Sequence, residues 1–129
     1  MKKREIKFRA WDKLEERFIK CDEGYQGHYV LSLKGEFHNL QNGSGGKEYV
    51  VQQYTGLKDK NNKEVYEGDL VECDDVIRGR MYGEVVYDND HGAFRIVFTY
   101  FLQWTFYKAE NIEVIGNIFE NPELLKYEQ

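Results

Sequence analysis

The chain has 129 residues, of which 41% are apolar and 32% charged, and its ten Tyr, eight Phe and two Trp exclude a disordered polypeptide. This length suits one domain or two very small ones, and it can fold without disulfides or metals. No apolar run approaches the roughly 20 residues that cross a bilayer, and the basic start lacks the apolar segment of a secretory signal. Cys21 and Cys73 are far apart without metal-like spacing, which predicts a cytoplasmic protein.

The charge is unevenly distributed along the chain. Residues 1–20 contain eight Lys or Arg and four Asp or Glu, a net charge of +4. Because the whole chain has a net charge of −5, the remaining residues carry −9. The pI of about 5.3 disfavours general nucleic-acid binding, which depends on neutralising phosphates. The N-terminal cations are weak candidates for phosphate contact, with a solvated strand face as the simpler interpretation: Lys2, Lys3, Arg4, Lys7 and Arg9.

The N-terminal region, residues 1–46, shows the two-residue period of β-strands. Ile6, Phe8 and Ala10 alternate with cations in a predicted strand over 5–11. Shorter apolar stretches follow at 17–21 and 28–33, before a Gly- and Ser-rich segment at 41–46. This pattern predicts a small β-meander that packs on the rest of the chain, because three such strands bury little alone.

The second region, residues 47–129, predicts further short strands separated by turns. A strand over 49–54 precedes a turn at 59–63, and the strand from Leu70 is entered through Gly68, with Asp69 placed to bind nearby backbone N–H groups. Strands over 82–87 and 111–116 follow, with a turn at 88–92. Four or five strands between about 65 and 116 favour a partly open SH3-like barrel, with a Greek-key sandwich as the alternative.

The most regular pattern lies at residues 94–107. Every even position from 94 to 106 is apolar or aromatic, which predicts one buried face: Phe94, Ile96, Phe98, Tyr100, Leu102, Trp104 and Phe106. A strand usually has five or six residues, so this run should bend or form two strands. Stacking of nucleic-acid bases on these rings is the weaker interpretation, since Arg95 is the only cation interleaved with them.

The C-terminal segment carries signals for a short helix. Asn121 suits the N-cap, Pro122 the first helical position and Glu123 the first turn. The predicted fold class is therefore mainly β: an N-terminal β-meander packed on a partly open SH3-like barrel, with a short C-terminal helix.

Three segments together resemble the YopX protein family: Arg4–Asp12, Gln53–Asn61 with Tyr66–Val71, and Ile112–Leu125. They span nearly the whole chain. One variation is Asn61-Asn62, where the family has Asn-Gly. The resemblance implies a small, mainly β protein encoded by bacteriophages, prophages and related mobile elements, acting in the bacterial host cell, without an established activity and without catalytic residues to transfer.

No catalytic or cofactor site is predicted. His28, His38 and His91 lie too far from one another and from cysteine for a zinc motif, and the acidic turn at 88–92 departs from the calcium-loop spacing. A magnesium-dependent enzyme remains a minor alternative, using turn carboxylates that are more often solvated: Asp74, Asp75, Asp88 and Asp90.

The favoured function is a non-catalytic interaction module that forms homo-oligomers or binds a phage or host protein. A nucleic-acid accessory protein or a DNA mimic is the alternative. The expected contact surface combines a long loop at 73–82, carrying two arginines, with two aromatic residues from the opposite phase of the stripe: Arg78, Arg80, Phe101 and Tyr107.

Overall fold

The computed structural model describes residues 3–20, 29–40, 43, 45, 48–75, 77–98, 103–105 and 110–124. These residues form eleven strands and almost no helix, so the protein is mainly β as predicted. The strands are β1 Phe8–Asp12, β2 Arg17–Lys20, β3 Tyr29–Leu31, β4 Phe37–Asn39, β5 Tyr49–Lys58, β6 Glu64–Tyr66, β7 Asp69–Asp75, β8 Gly79–Asp88, β9 Ala93–Phe98, β10 Gln103–Thr105 and β11 Glu110–Asn117.

The chain forms two compact units, Met1–Gln53 and Tyr54–Gln129, and the boundary in the sequence falls within β5. The first half of β5 pairs with β1, and the second half pairs with β6. The predicted division of the chain into residues 1–46 and 47–129 stays a prediction. Within the described ranges, no helix is long and apolar enough to span a membrane.

In the first unit, β1 is the central strand. It pairs antiparallel with β2 on one side and with β5 on the other, so that Ala10 lies opposite both Ile19 and Val51. The predicted third strand is present as β3, and it pairs with β4, which was not predicted. Ala10, Ile19 and Tyr49 form the core of this unit, and the rings of Tyr29 and Phe37 pack against them.

The second unit contains a five-stranded antiparallel sheet in the order β10-β9-β8-β7-β11, curled into a half-barrel. One face of the sheet packs with Val65 of β6 to form the core, and the sheet contributes Val71, Cys73, Val85, Ile96 and Phe98. Cys73 is buried, and this burial raises the pKa of its thiol to about 11, so this cysteine is an unreactive core residue. The SH3-like and Greek-key assignments stay predictions.

The aromatic stripe forms two strands, as its length predicted. β9 ends at Phe98, and β10 returns antiparallel so that Trp104 lies opposite Ile96. Ile96 and Phe98 are buried, and Phe94 is half-buried with its ring 5.2 Å from the Tyr87 ring, which confirms the inward face in β9. Tyr100, Leu102 and Phe106 lie outside the described residues.

The predicted C-terminal helix is wrong. The described residues there form a single 3₁₀ turn at 122–124, in which the N–H of Leu124 donates to the carbonyl of Asn121. The Asn121 side chain does not cap this turn. Its Oδ1 accepts a hydrogen bond from the N–H of Asn117 in the preceding strand.

Candidate functional site

The turn between β5 and β6 is organised by one carboxylate. Asp59 Oδ1 accepts hydrogen bonds from the N–H groups of Asn61 and Lys63, each at 2.8 Å, and Oδ2 accepts one from Val114 in β11 at 2.9 Å. Asn62 adopts the left-handed conformation that this turn requires (φ 66°), which Asn tolerates better than most residues. The Asn61-Asn62 pair therefore forms this turn without a glycine.

The entry to β7 is fixed in a similar way, as the sequence predicted. Gly68 has φ +85°, and Asp69 Oδ2 accepts a hydrogen bond from the N–H of Tyr66 at 2.8 Å. Thr55 Oγ1 donates to the carbonyl of Val65 at 2.7 Å. These side chains connect β5, β6 and the start of β7.

The end of β11 is tied to the same region. Asn117 Oδ1 accepts hydrogen bonds from the N–H groups of Phe119 and Glu120, and the N–H of Ile118 donates to the carbonyl of Gly68. Asn117, Asp59 and Asp69 are buried. The polar residues of the second and third resembling segments thus form a cluster, which we call the motif cluster: Thr55, Asp59, Asp69, Asn117 and Asn121. Its hydrogen bonds hold loops and strand ends, which is a structural role.

A second polar region lies on the sheet face opposite the core, and we call it the outer sheet face. Antiparallel pairing places Asp74 opposite Arg80 and Glu110, and Glu72 opposite Tyr82 and Glu113. Residues directly opposite each other project from the same face. The outer sheet face therefore combines residues from β7, β8 and β11: Glu72, Asp74, Arg80, Tyr82, Glu84, Glu110 and Glu113.

Arg80 occupies the centre of an ion-pair network on this face. Its guanidinium lies 2.8 Å from Asp74 Oδ1, 3.2 Å from Glu72 Oε1 and 3.5 Å from Glu113 Oε1. Lys60 Nζ reaches the same Glu113 oxygen at 3.4 Å. Hydrogen bonds from Asn111 and Arg80 hold the pKa of the Asp74 carboxyl below its usual range. Arg80 and Lys60 therefore neutralise part of the negative charge of Glu72, Asp74 and Glu113.

Tyr82 and Glu84 follow Arg80 along β8 on the same face. Tyr82 is 44% exposed, a high value for a large ring in a strand that has neighbours on both sides. Glu84 is half-buried, burial raises the pKa of its carboxyl, and the carboxylate makes no hydrogen bond or ion pair with any residue of the described ranges. Such a group destabilises the fold at neutral pH unless a cation approaches it.

The expected long loop at 73–82 is wrong, because β7 continues to Asp75 and β8 begins at Gly79. This hairpin is tight because Asp75 accepts hydrogen bonds from the N–H groups of Ile77 and Arg78, and Gly79 has φ +78°. Arg78 lies at the tip and pairs with Asp75 at 3.1 Å. Of the expected contact residues, Arg80 lies on the outer sheet face, Arg78 lies at the hairpin tip, and Phe101 and Tyr107 lie outside the described residues.

The predicted N-terminal strip divides into paired and unpaired cations. Lys7 Nζ lies 2.7 Å from Glu5, and the Arg9 guanidinium lies 4.2 Å from the centre of the Phe18 ring while its Nε donates to Gln52. Lys3 and Arg4 are exposed and form no ion pair with a described residue. Lys2 lies outside the described residues.

The turn carboxylates do not meet as a metal site. Asp88 Oδ2 lies 2.7 Å from His91 Nδ1 and 2.8 Å from Arg95 Nε, and Asp90 is exposed in the same turn. Burial raises the pKa of the Asp88 carboxyl, but contacts with His91, the N–H of Asp90 and Arg95 together outweigh it, so the pKa lies below its usual range. No group of three or more potential metal ligands occurs within the described ranges. His28 is outside them.

Sequence reasoning missed Glu72, Tyr82, Glu84, Glu110 and Glu113 as a surface. One signal was available: charged and polar residues alternate with the apolar core residues in 70–75 and 80–86. That surface forms only when particular strands pair, and the sequence alone does not predict that β11 pairs with β7. The motif cluster was foreseen only at Gly68 and Asp69.

Comparison with known proteins places the chain in a family. The model of the YopX protein family matches residues 7–126. The search of curated proteins gave no match. Among solved structures, protein EF1440 from Enterococcus faecalis is similar with a TM-score of 0.61 and 29% identity, over 93% of this chain and 97% of that one. Protein yopX from Bacillus subtilis has a TM-score of 0.60 and 20% identity, over 92% of this chain and 95% of that one, a likeness of fold. The chain therefore belongs to the YopX protein family.

Proposed function

We propose that this protein is a non-catalytic interaction module that self-associates, encoded by a phage or prophage and acting in the bacterial cytoplasm. The observation that carries the proposal is the outer sheet face, which presents the exposed Tyr82 ring between the Arg80 network and the Glu84 carboxylate, which has no partner among the described residues. An aromatic residue surrounded by charged groups is typical of protein contact surfaces.

The motif cluster supports the non-catalytic part of the proposal. Asp59, Asp69 and Asn117 have side chains that could act as acids or metal ligands. Each is buried, however, and accepts backbone hydrogen bonds. A carboxylate that holds three N–H groups is a poor general base, because those bonds favour its charged form. The hydrogen bonds of the motif cluster thus support the fold.

The test is the mass of the protein in solution. Size-exclusion chromatography with light scattering, from about 5 to 500 μM, should show a mass above 15.4 kDa that rises with concentration. Tyr82→Ala should reduce the association, and Tyr87→Ala, which removes an equally exposed ring from the opposite phase of β8, should not. A monomer throughout, together with no retained partner in a pull-down from host cells, would contradict the proposal.

A second candidate is a nucleic-acid accessory protein, which Lys3 and Arg4 favour because both are exposed and pair with none of the described residues. Direct binding should weaken steeply with salt and should be lost in the K3E/R4E variant. Mimicry of DNA by the acidic face would instead appear as binding to a basic DNA-binding protein. Affinity in the millimolar range with no salt dependence would dismiss direct binding.

A further inference from the structure

The segment that precedes β1 is charged opposite to the outer sheet face. Residues 3–7 have no regular secondary structure, and we call them the N-terminal arm. The arm contains Lys3, Arg4 and Lys7 against the single carboxylate of Glu5. Lys3 and Arg4 are exposed and have no ion pair with a described residue, and the apolar side chain of Ile6 is 55% exposed.

The outer sheet face offers the complementary groups. Its five carboxylates face two cations, Arg80 and Lys60, so it carries an excess of negative charge. Glu110 is exposed with no ion pair to a described residue, and Glu84 is half-buried without one. Tyr82 lies between Glu84 and Arg80 along β8, and Glu110 is level with Arg80 across the sheet. The Tyr82 ring therefore offers an apolar contact near both carboxylates for a side chain such as Ile6.

The dimensions of the two surfaces agree. The rows from Arg80 to Glu84 span about 13 Å along β8, because a strand rises about 3.3 Å per residue. An extended segment from Lys3 to Ile6 spans about 10 Å. One arm can therefore reach Tyr82 and an unpaired carboxylate together.

We propose that the protein self-associates head to tail, with the N-terminal arm of one copy bound on the outer sheet face of a second copy. This inference rests on the proposed self-association and specifies its geometry. A face-to-face dimer would bring like charges together, whereas arm-to-face contact pairs opposite charges. Such a heterologous contact joins different surfaces of the two copies, so it leads to a ring or an open chain rather than an isologous dimer.

Charge exchange tests the proposal. In sedimentation velocity at 50 mM NaCl, the wild type should associate, and raising the salt to 500 mM should weaken the association. The K3E/R4E variant and the E84K/E110K variant should each lose self-association by roughly tenfold or more, because each then has an arm and a face of the same sign. Mixed in equal amounts, the two variants should associate again, because the reversed arm fits the reversed face.

Two further variants keep the test decisive. D90K/E123K makes the same charge change at exposed residues away from the outer sheet face, and it should associate like the wild type. E110K alone changes an exposed residue and should give an intermediate loss, even where E84K disturbs folding. A monomeric wild type would overturn both this inference and the proposed function. An oligomer that K3E/R4E leaves unchanged, or a mixture that does not associate, would overturn the head-to-tail geometry alone.

Discussion

The motif cluster and the outer sheet face are both rich in acidic residues, and they use carboxylates in opposite ways. In the motif cluster, Asp59 is buried and its oxygens accept three backbone N–H groups. On the outer sheet face, Glu84 and Glu110 have no such donors among the described residues. Residue type alone therefore does not separate a structural carboxylate from one available to a partner, whereas the number of backbone donors around it does.

The largest effect should come from the motif cluster. Asp59→Ala leaves three backbone N–H groups without their acceptor and should lower the free energy of unfolding by about 2 to 3 kcal/mol. Urea denaturation followed by tyrosine and tryptophan fluorescence measures this change. Asp90→Ala, in an exposed turn, is the matched control and should change little. Equal stability of the two variants would remove the distinction between the two regions.

The loss of stability at acidic pH should depend on protonation of Asp59. Burial raises the pKa of this carboxyl, but hydrogen bonds from Val114, Lys63 and Asn61 outweigh it and lower the pKa below 3.8. The unfolded state then binds the proton more tightly, so the stabilisation is fully present above the unfolded pKa and is lost as the pH falls through the folded one. Thermal unfolding between pH 5 and 2.5 should show a smaller loss for Asp59→Asn than for the wild type below about pH 4.

Gly116→Ala should destabilise the end of β11 by about 1 to 3 kcal/mol. A Cβ atom at this position would lie 2.5 Å from Asn121 Oδ1 and 2.7 Å from Asn121 Cγ, so the asparagine would have to move from the N–H of Asn117. Chemical denaturation provides the measurement. Gly35→Ser is a useful contrast, because nothing lies near a Cβ atom there and only its positive φ opposes the change. A G116A variant as stable as the wild type would show that the Asn121 contact is dispensable.

Arg80→Met should cost less, about 1 kcal/mol or below, because the network is open to solvent. The variant keeps the apolar stem and removes the contacts with Glu72, Asp74 and Glu113. Thermal unfolding at low and high salt should show a difference that shrinks at high salt. A loss as large as that of D59A would place Arg80 among the structural residues.

The smallest effect should be a gain in stability. Burial raises the pKa of the Glu84 carboxyl above 4.5, so the folded state binds its proton more tightly than the unfolded state. Its contribution is present below pH 4.5 and is lost as the pH rises through the folded pKa. Glu84→Gln should therefore unfold at a higher temperature than the wild type at pH 7 and at a similar one at pH 4. A less stable E84Q at pH 7 would indicate a cation already paired with Glu84.

The sequence predicted local structure better than it predicted assembly. The alternation around Ile96 and Phe98 gave β9 and its buried face, and Gly68 with Asp69 gave the entry to β7, because these features depend on adjacent residues. The C-terminal helix failed because the Asn121 side chain accepts the N–H of Asn117, four residues earlier at the end of β11, and this contact competes with capping. The outer sheet face was not foreseen, because it exists only after β7, β8 and β11 have paired in register.

The β5–β6 turn also determines how this protein can meet its neighbours. Lys60 donates its N–H to the carbonyl of Ile112, and Asp59 accepts the N–H of Val114, so two outward backbone groups of β11 are occupied by the protein's own turn. A terminal strand that is covered in this way cannot act as a template for strand addition by another chain. Assembly through this side of the sheet must therefore use side chains, so single charge substitutions can change its strength. The same arrangement disfavours aggregation through a continuous intermolecular β-sheet.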